Sequence, residues 1–152
     1  MATAAITILG LGPGNIHDLT VEAHNILKQA ANTKQTVYFR TIIHPTVEPL
    51  KQAIPNLQIQ SFDNLYDESE NWDTLYQQIA KKICSAQHPI IYAVPGHPLI
   101  GESSVQLILR RARERNLSTA IVAGLSFLEP VCTILGLDPF DDGTQLVDAT
   151  NL

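Results

Sequence analysis

His97 is the residue of this 152-residue chain best placed to do chemistry. It lies in YAVPGHPLIGE, Tyr92–Glu102, between Gly96 and Pro98. Imidazole titrates near neutrality, so His97 suits acid/base work, metal ligation or an ordinary loop position. As a metal ligand it lacks a partner, because His17, His24, His44 and His88 form no short ligand pair with it or with each other. Cys84 and Cys132 show no CxxC spacing, which argues against structural zinc. Both fall in apolar helical patterns and read as buried thiols of a reducing cytoplasm. Ser126 sits in GLSFL, not in the GxSxG of a nucleophile elbow. It is expected to cap a helix beginning at Phe127, with Glu129 completing a capping box. The amides of such a helix start can still meet a ligand. No Ser-His-Asp signature or paired-carboxylate motif stands out. The acidic run Asp67, Glu68, Glu70 and Asp73 reads as a solvated helix start.

Two glycine-rich loops offer main chain rather than side chains. Gly10-Leu11-Gly12-Pro13-Gly14 departs from the dinucleotide fingerprint GxGxxG, since position 15 is Asn. The second strand also closes on Phe39-Arg40 instead of an acidic residue. Arg40 would suit a 2′-phosphate, which keeps an NADP-binding domain as a third reading. No GxxxxGK[ST] occurs, so the loop is not a P-loop. In Pro95-Gly96-His97-Pro98, two prolines fix the backbone around Gly96, which alone takes positive φ freely. Such a loop presents amides and carbonyls in a set arrangement, suited to a polar ligand held by the main chain.

The elements that must position these loops alternate. Ala5–Leu9, Thr36–Phe39, Leu57–Ile59, Pro89–Val94 and Ala120–Val122 read as strands. Helices are expected after Thr20, which can cap the first, around Val47–Ile54, and along the stripe Trp72, Leu75, Tyr76, Ile79 and Ile83. Two more follow, on Val105, Ile108, Leu109 and Ala112, and from Phe127 to Leu135 with Gly136 as C-cap. The expected fold is an α/β three-layer sandwich with a mostly parallel sheet of about five strands. Ligands in such sheets bind beyond the C-terminal strand ends, which singles out Gly10–Gly14, Pro95–Glu102 and Ala123–Ser126.

Composition sets outer bounds. A net charge of -5 argues against nucleic-acid binding. Arg110, Arg111, Arg113 and Arg115 read as the solvated C-terminal end of a helix. No apolar run reaches the length of a membrane helix, and no basic residue precedes the first apolar stretch, so neither a membrane span nor a secretory signal is expected.

Taken together, ITILGLGPGN, AVPGHPLIGE and AGLSFLE resemble, in that order, the first, fourth and fifth strand loops of the tetrapyrrole (corrin/porphyrin) methylases. With FRTIIHP at Phe39–Pro45 and SFDNLYD at Ser61–Asp67, the chain is most similar to the methylase-like N-terminal domain of YabN/MazG-type proteins. The resemblance implies S-adenosylmethionine as cofactor, methyl transfer to a tetrapyrrole-like or other small molecule, and a homodimer. It places Leu11, Pro13, Gly96, His97, Ile100, Gly101 and Ser126 at the cofactor. The family's acidic residue in the fourth-strand loop is His97 here. A neutral imidazole accepts through one nitrogen only, and an imidazolium would repel a sulfonium.

The same resemblance implies the N-terminal half of a methylase fold. Residues 1–140 would be the cofactor-binding domain and 141–152 the start of a linker to a second α/β domain that closes the cleft. A MazG nucleoside triphosphate pyrophosphohydrolase domain would lie further on. A fragment of a longer cytoplasmic protein is therefore expected, inactive alone. The alternative is a non-catalytic regulatory or dimerisation module attached to that pyrophosphohydrolase.

Overall fold

A computed structural model describes residues 4–141 and 143–148. The strands are β1 (Ile6–Gly10), β2 (Val37–Phe39), β3 (Ile59–Ser61), β4 (Ile90–Val94) and β5 (Thr119–Val122). The helices are α1 (Val21–Thr33), α2 (Val47–Ala53), α3 (Asn64–Glu68), α4 (Trp72–Ser85), α5 (Ser103–Glu114) and α6 (Leu128–Leu135). All strand pairs are parallel, in the order β3-β2-β4-β1-β5.

Side-chain alternation divides the sheet between two cores. Ile6, Ile8, Ile90, Tyr92 and Val94 face α4 and α5, against Leu75, Ile79, Ile83, Val105 and Ile108. Leu9, Val37, Phe39, Ile91, Ala93 and Val122 face α1 and α2, against Ala23, Leu27, Val47 and Leu50. The three-layer sandwich expected from strand–helix alternation is thus present. All five residues of β4 are buried, as befits a central strand covered on both faces.

The chain leaves β1 toward β2 on one side and leaves β4 toward β5 on the other. β1 and β4 are neighbours, so their departing loops diverge and open a crevice at the C-terminal sheet edge.

Backbone contacts knit the three loops at that edge. Leu11 N–H donates to Val94 O at 2.8 Å, and Gly12 and Gly96 exchange bonds, Gly96 N–H to Gly12 O being 2.8 Å. Gly10 and Gly124 lie so close that a Cβ on Gly10 would stand 2.7 Å from Gly124 N, and nearer still to Gly96 O. A Cβ on Gly124 would meet the same carbonyl and the Gly10 backbone at 2.9 Å. Thr20 adds a tie: its Oγ1 accepts from Ala23 N–H as the α1 cap and donates to Ala123 O at 3.1 Å.

Several expectations need correction. Trp72 is 63% exposed and stacks on Tyr76 at the surface, while Leu75, Ile79 and Ile83 carry the core contact of α4. Cys84 is buried but Cys132 is only half-buried, because α6 buries no side chain. The third strand starts at Ile59 rather than Leu57, whose N–H is drawn into a turn on Ile54 O. The acidic run opens no single helix: Asp67 and Glu68 close the short α3, and Asp73 lies in the first turn of α4. Of the expected linker, residues 141 and 143–148 have no helix or strand, and the rest lies outside the described residues.

Gly124→Ala should destabilise the chain by about 2–3 kcal/mol through overpacking against fixed backbone. Gly136→Ala, at φ +65 with nothing within 4 Å of its Cβ, should cost about 1 kcal/mol. Urea unfolding midpoints measure both; equal costs would contradict the close contact.

Candidate functional site

The crevice holds a cleft of about 290 Å³ between the three loops. Six of the seven residues expected at a cofactor line it: Pro13, Gly96, His97, Ile100, Gly101 and Ser126. Leu11 does not. It continues the alternation of Leu9 into the α1-side core, is fully buried, and spends its N–H on Val94 O. Arg40, His44, Glu102 and Phe127 also line the cleft.

The fourth-strand loop shapes one wall. Gly96 turns it at φ +64, and Ile100 N–H closes a turn on His97 O at 3.1 Å. His97 Nδ1 accepts from Leu99 N–H at 3.1 Å. That bond needs a lone pair on Nδ1, so the neutral ring carries its proton on Nε2. The acceptor expected of His97 is therefore used within the loop, and the remaining nitrogen is a donor.

Ser126 caps α6, as its sequence position suggests. Phe127 occupies the N-cap position, and Ser126 works from one residue earlier. Ser126 Oγ accepts from Leu128 N–H at 3.0 Å and donates to Glu129 Oε2 at 2.7 Å. Glu129 also accepts Ser126 N–H at 2.7 Å, completing the reciprocal box. The hydroxyl holds the Glu129 carboxylate below its ordinary range. These reciprocal bonds make Ser126 and Glu129 a cap for the start of α6.

The floor of the cleft is an ion pair. Arg40 Nε lies 3.2 Å from Glu102 Oε2, with 21% and 6% of the two side chains exposed. Ser104 Oγ donates to Glu102 Oε1 at 2.8 Å and meets Tyr92 OH at 2.9 Å. Burial raises the Glu102 carboxyl above its ordinary value, while Arg40 and Ser104 pull it back. Burial works against the Arg40 charge, but Glu102 and nearby tyrosines outweigh it and the net shift is upward. His44 is lowered by burial and then by Arg40. Arg40 is thus engaged by a carboxylate through Nε. His44 was not legible as a site residue, nor was the pairing of Glu102 with Arg40, which forms only because β2 lies beside β4 and brings the end of one to the loop of the other.

Comparison with known proteins places this geometry. Residues 5–149 match the family described as Tetrapyrrole (Corrin/Porphyrin) Methylases. The chain is 36% identical over 149 residues to the uncharacterized protein YabN of Bacillus subtilis (strain 168), covering 97% of this chain and 29% of that protein. Among solved structures, diphthine synthase superposes with TM-score 0.61 at 19% identity, covering 89% of this chain and 50% of the other. Uroporphyrin-III-C-methyltransferase from Thermus thermophilus gives 0.64 at 16% identity, covering 97% and 66%. The chain spans under a third of YabN and half of diphthine synthase.

Arg40→Met should lower stability at pH 7 by about 2–3 kcal/mol, a buried-pair cost discounted for the partial exposure of Arg40. Without the guanidinium, Glu102 rises further above its ordinary value of 4.5. A raised carboxyl stabilises below that value and loses the contribution as pH rises through its folded-state value. The deficit relative to wild type should therefore shrink toward pH 4.5 in urea titrations. A deficit independent of pH would contradict the ion pair.

Proposed function

This chain belongs to the tetrapyrrole methylase family, and we propose that its cleft binds S-adenosylmethionine for methyl transfer to a small, tetrapyrrole-like acceptor. The observation that carries the reading is the convergence of Pro13, Gly96, His97, Ile100, Gly101 and Ser126 on one cleft at the sheet's switch point.

The residues fit such a ligand. At Gly101 a Cβ would meet nothing within 4 Å, and at Gly96 only Leu125 O at 3.9 Å. A polar molecule can therefore come up to the main chain of this loop. Ile100 and Phe127 add apolar surface to its walls. The cofactor, when bound, supplies a methyl group already activated on a sulfonium. What the protein must add is alignment and desolvation. The knitted loops hold the main chain still, the Ser126–Glu129 box fixes the start of α6, and Arg40–Glu102 secures the floor.

A second reading rests on a different surface. Around α6, Phe127, Val131, Ile134, Leu135, Leu137 and Phe140 are all at least 43% exposed. Apolar patches of this kind mark interaction surfaces. This favours a regulatory or dimerisation module; its attachment in a longer protein to a nucleoside triphosphate pyrophosphohydrolase of MazG type is what the YabN resemblance adds to that reading. It would also seat the homodimer.

Calorimetry separates the two. The first reading predicts heat on titrating S-adenosylmethionine or S-adenosylhomocysteine into the chain. Gly101→Val, which puts a branched side chain on the cleft wall and strains the loop at φ +69, should weaken binding at least tenfold. No heat at millimolar ligand would overturn it. The second reading predicts self-association in sedimentation velocity that Ile134→Glu abolishes.

A further inference from the structure

The cleft carries little net charge on its walls. Its one lining carboxylate, Glu102, is paired with Arg40, and the neighbouring Glu129 carboxylate is held by the N–H and hydroxyl of Ser126. His97 stands on the wall with its ring orientation set from within the loop. Leu99 N–H can only donate, so Nδ1 must accept and Nε2 must hold the proton. No hydrogen bond to Nε2 forms among the described residues, and His97 borders the cleft. Pro98 and the Ile100 N–H to His97 O turn keep the loop around that ring in place.

We propose that His97 is a specificity-determining residue that donates Nε2–H to an acceptor atom of the ligand, a ring nitrogen or an oxygen. The cleft then reads its ligand by hydrogen bonding and not by attraction to positive charge. A neutral donor at this position gives the sulfonium of S-adenosylmethionine no advantage over the neutral thioether of S-adenosylhomocysteine. A carboxylate at the same position would accept rather than donate and would favour the cation. This inference rests on the reading that the cleft takes a ligand of this class.

Two variants and one spectrum test it. Titrated with both ligands in calorimetry, the wild-type chain should bind them within roughly threefold of each other. His97→Asp adds an anion and removes the donor, and should shift the ratio at least fivefold toward S-adenosylmethionine. His97→Asn keeps an acceptor for Leu99 N–H and the neutral charge but withdraws Nε2–H. It should weaken both ligands by roughly fivefold and leave their ratio unchanged. Imidazole ¹⁵N spectra of the wild type should show the proton on Nε2 and a shift of that nitrogen on ligand addition. A ratio unmoved by His97→Asp, full affinity in His97→Asn, or a proton on Nδ1 would each overturn the inference while leaving the cofactor reading intact. Failure of the wild type to bind either ligand would overturn both.

Discussion

The close approach of Gly10, Gly96 and Gly124 is the constraint on which the rest of the structure depends. Three strand ends from distant parts of the chain meet there with no side chains between them. The contact is available only because β1 has β4 on one side and β5 on the other, so all three ends lie abreast. A methyl group at Gly10 or Gly124 would force backbone against backbone, which a packed interior accommodates poorly. With the loops drawn this tightly together, the main chain becomes a wall, and the cleft opens beside it rather than between loosely placed side chains.

That arrangement suits chemistry that asks for position more than for reactive groups. Ser126 is committed to its helix cap, Glu102 to Arg40, and Nδ1 of His97 to its own loop. Each of these three groups has a structural partner that fixes its orientation. A site built this way offers a rigid surface with few free functional groups. Methyl transfer from an activated donor is compatible with it.

Much of the fold was legible because burial imposes periodicity. The unbroken apolar run of β4 marks a strand covered on both faces, and Leu75, Ile79 and Ile83 mark one helix face. Periodicity says which face a residue shares but not where that face runs out. Trp72 obeys the α4 spacing yet lies in its first turn, beyond the sheet. Cys132 obeys an apolar helical pattern in a helix with no layer to cover it. The family resemblance places Leu11 at the cofactor. Carrying the alternation of Thr7 and Leu9 one step further would have assigned it to the core. Arg40 with Glu102, and the proton position on His97, depend on strand order and on a single backbone N–H, and neither leaves a mark in residue type or spacing.

The central claim is that one ligand-binding surface is formed where these loops meet. Amide chemical-shift mapping during addition of S-adenosylhomocysteine tests it most directly, because it reports every loop at once. The shifts should be confined to Gly12 and Gly14, Arg40 and His44, Gly96–Glu102 apart from Pro98, and Ser126–Leu128, with β3 and the C-terminal end of α5 unmoved. Saturable shifts centred elsewhere, such as around Trp72, or no saturable shifts at all, would contradict it.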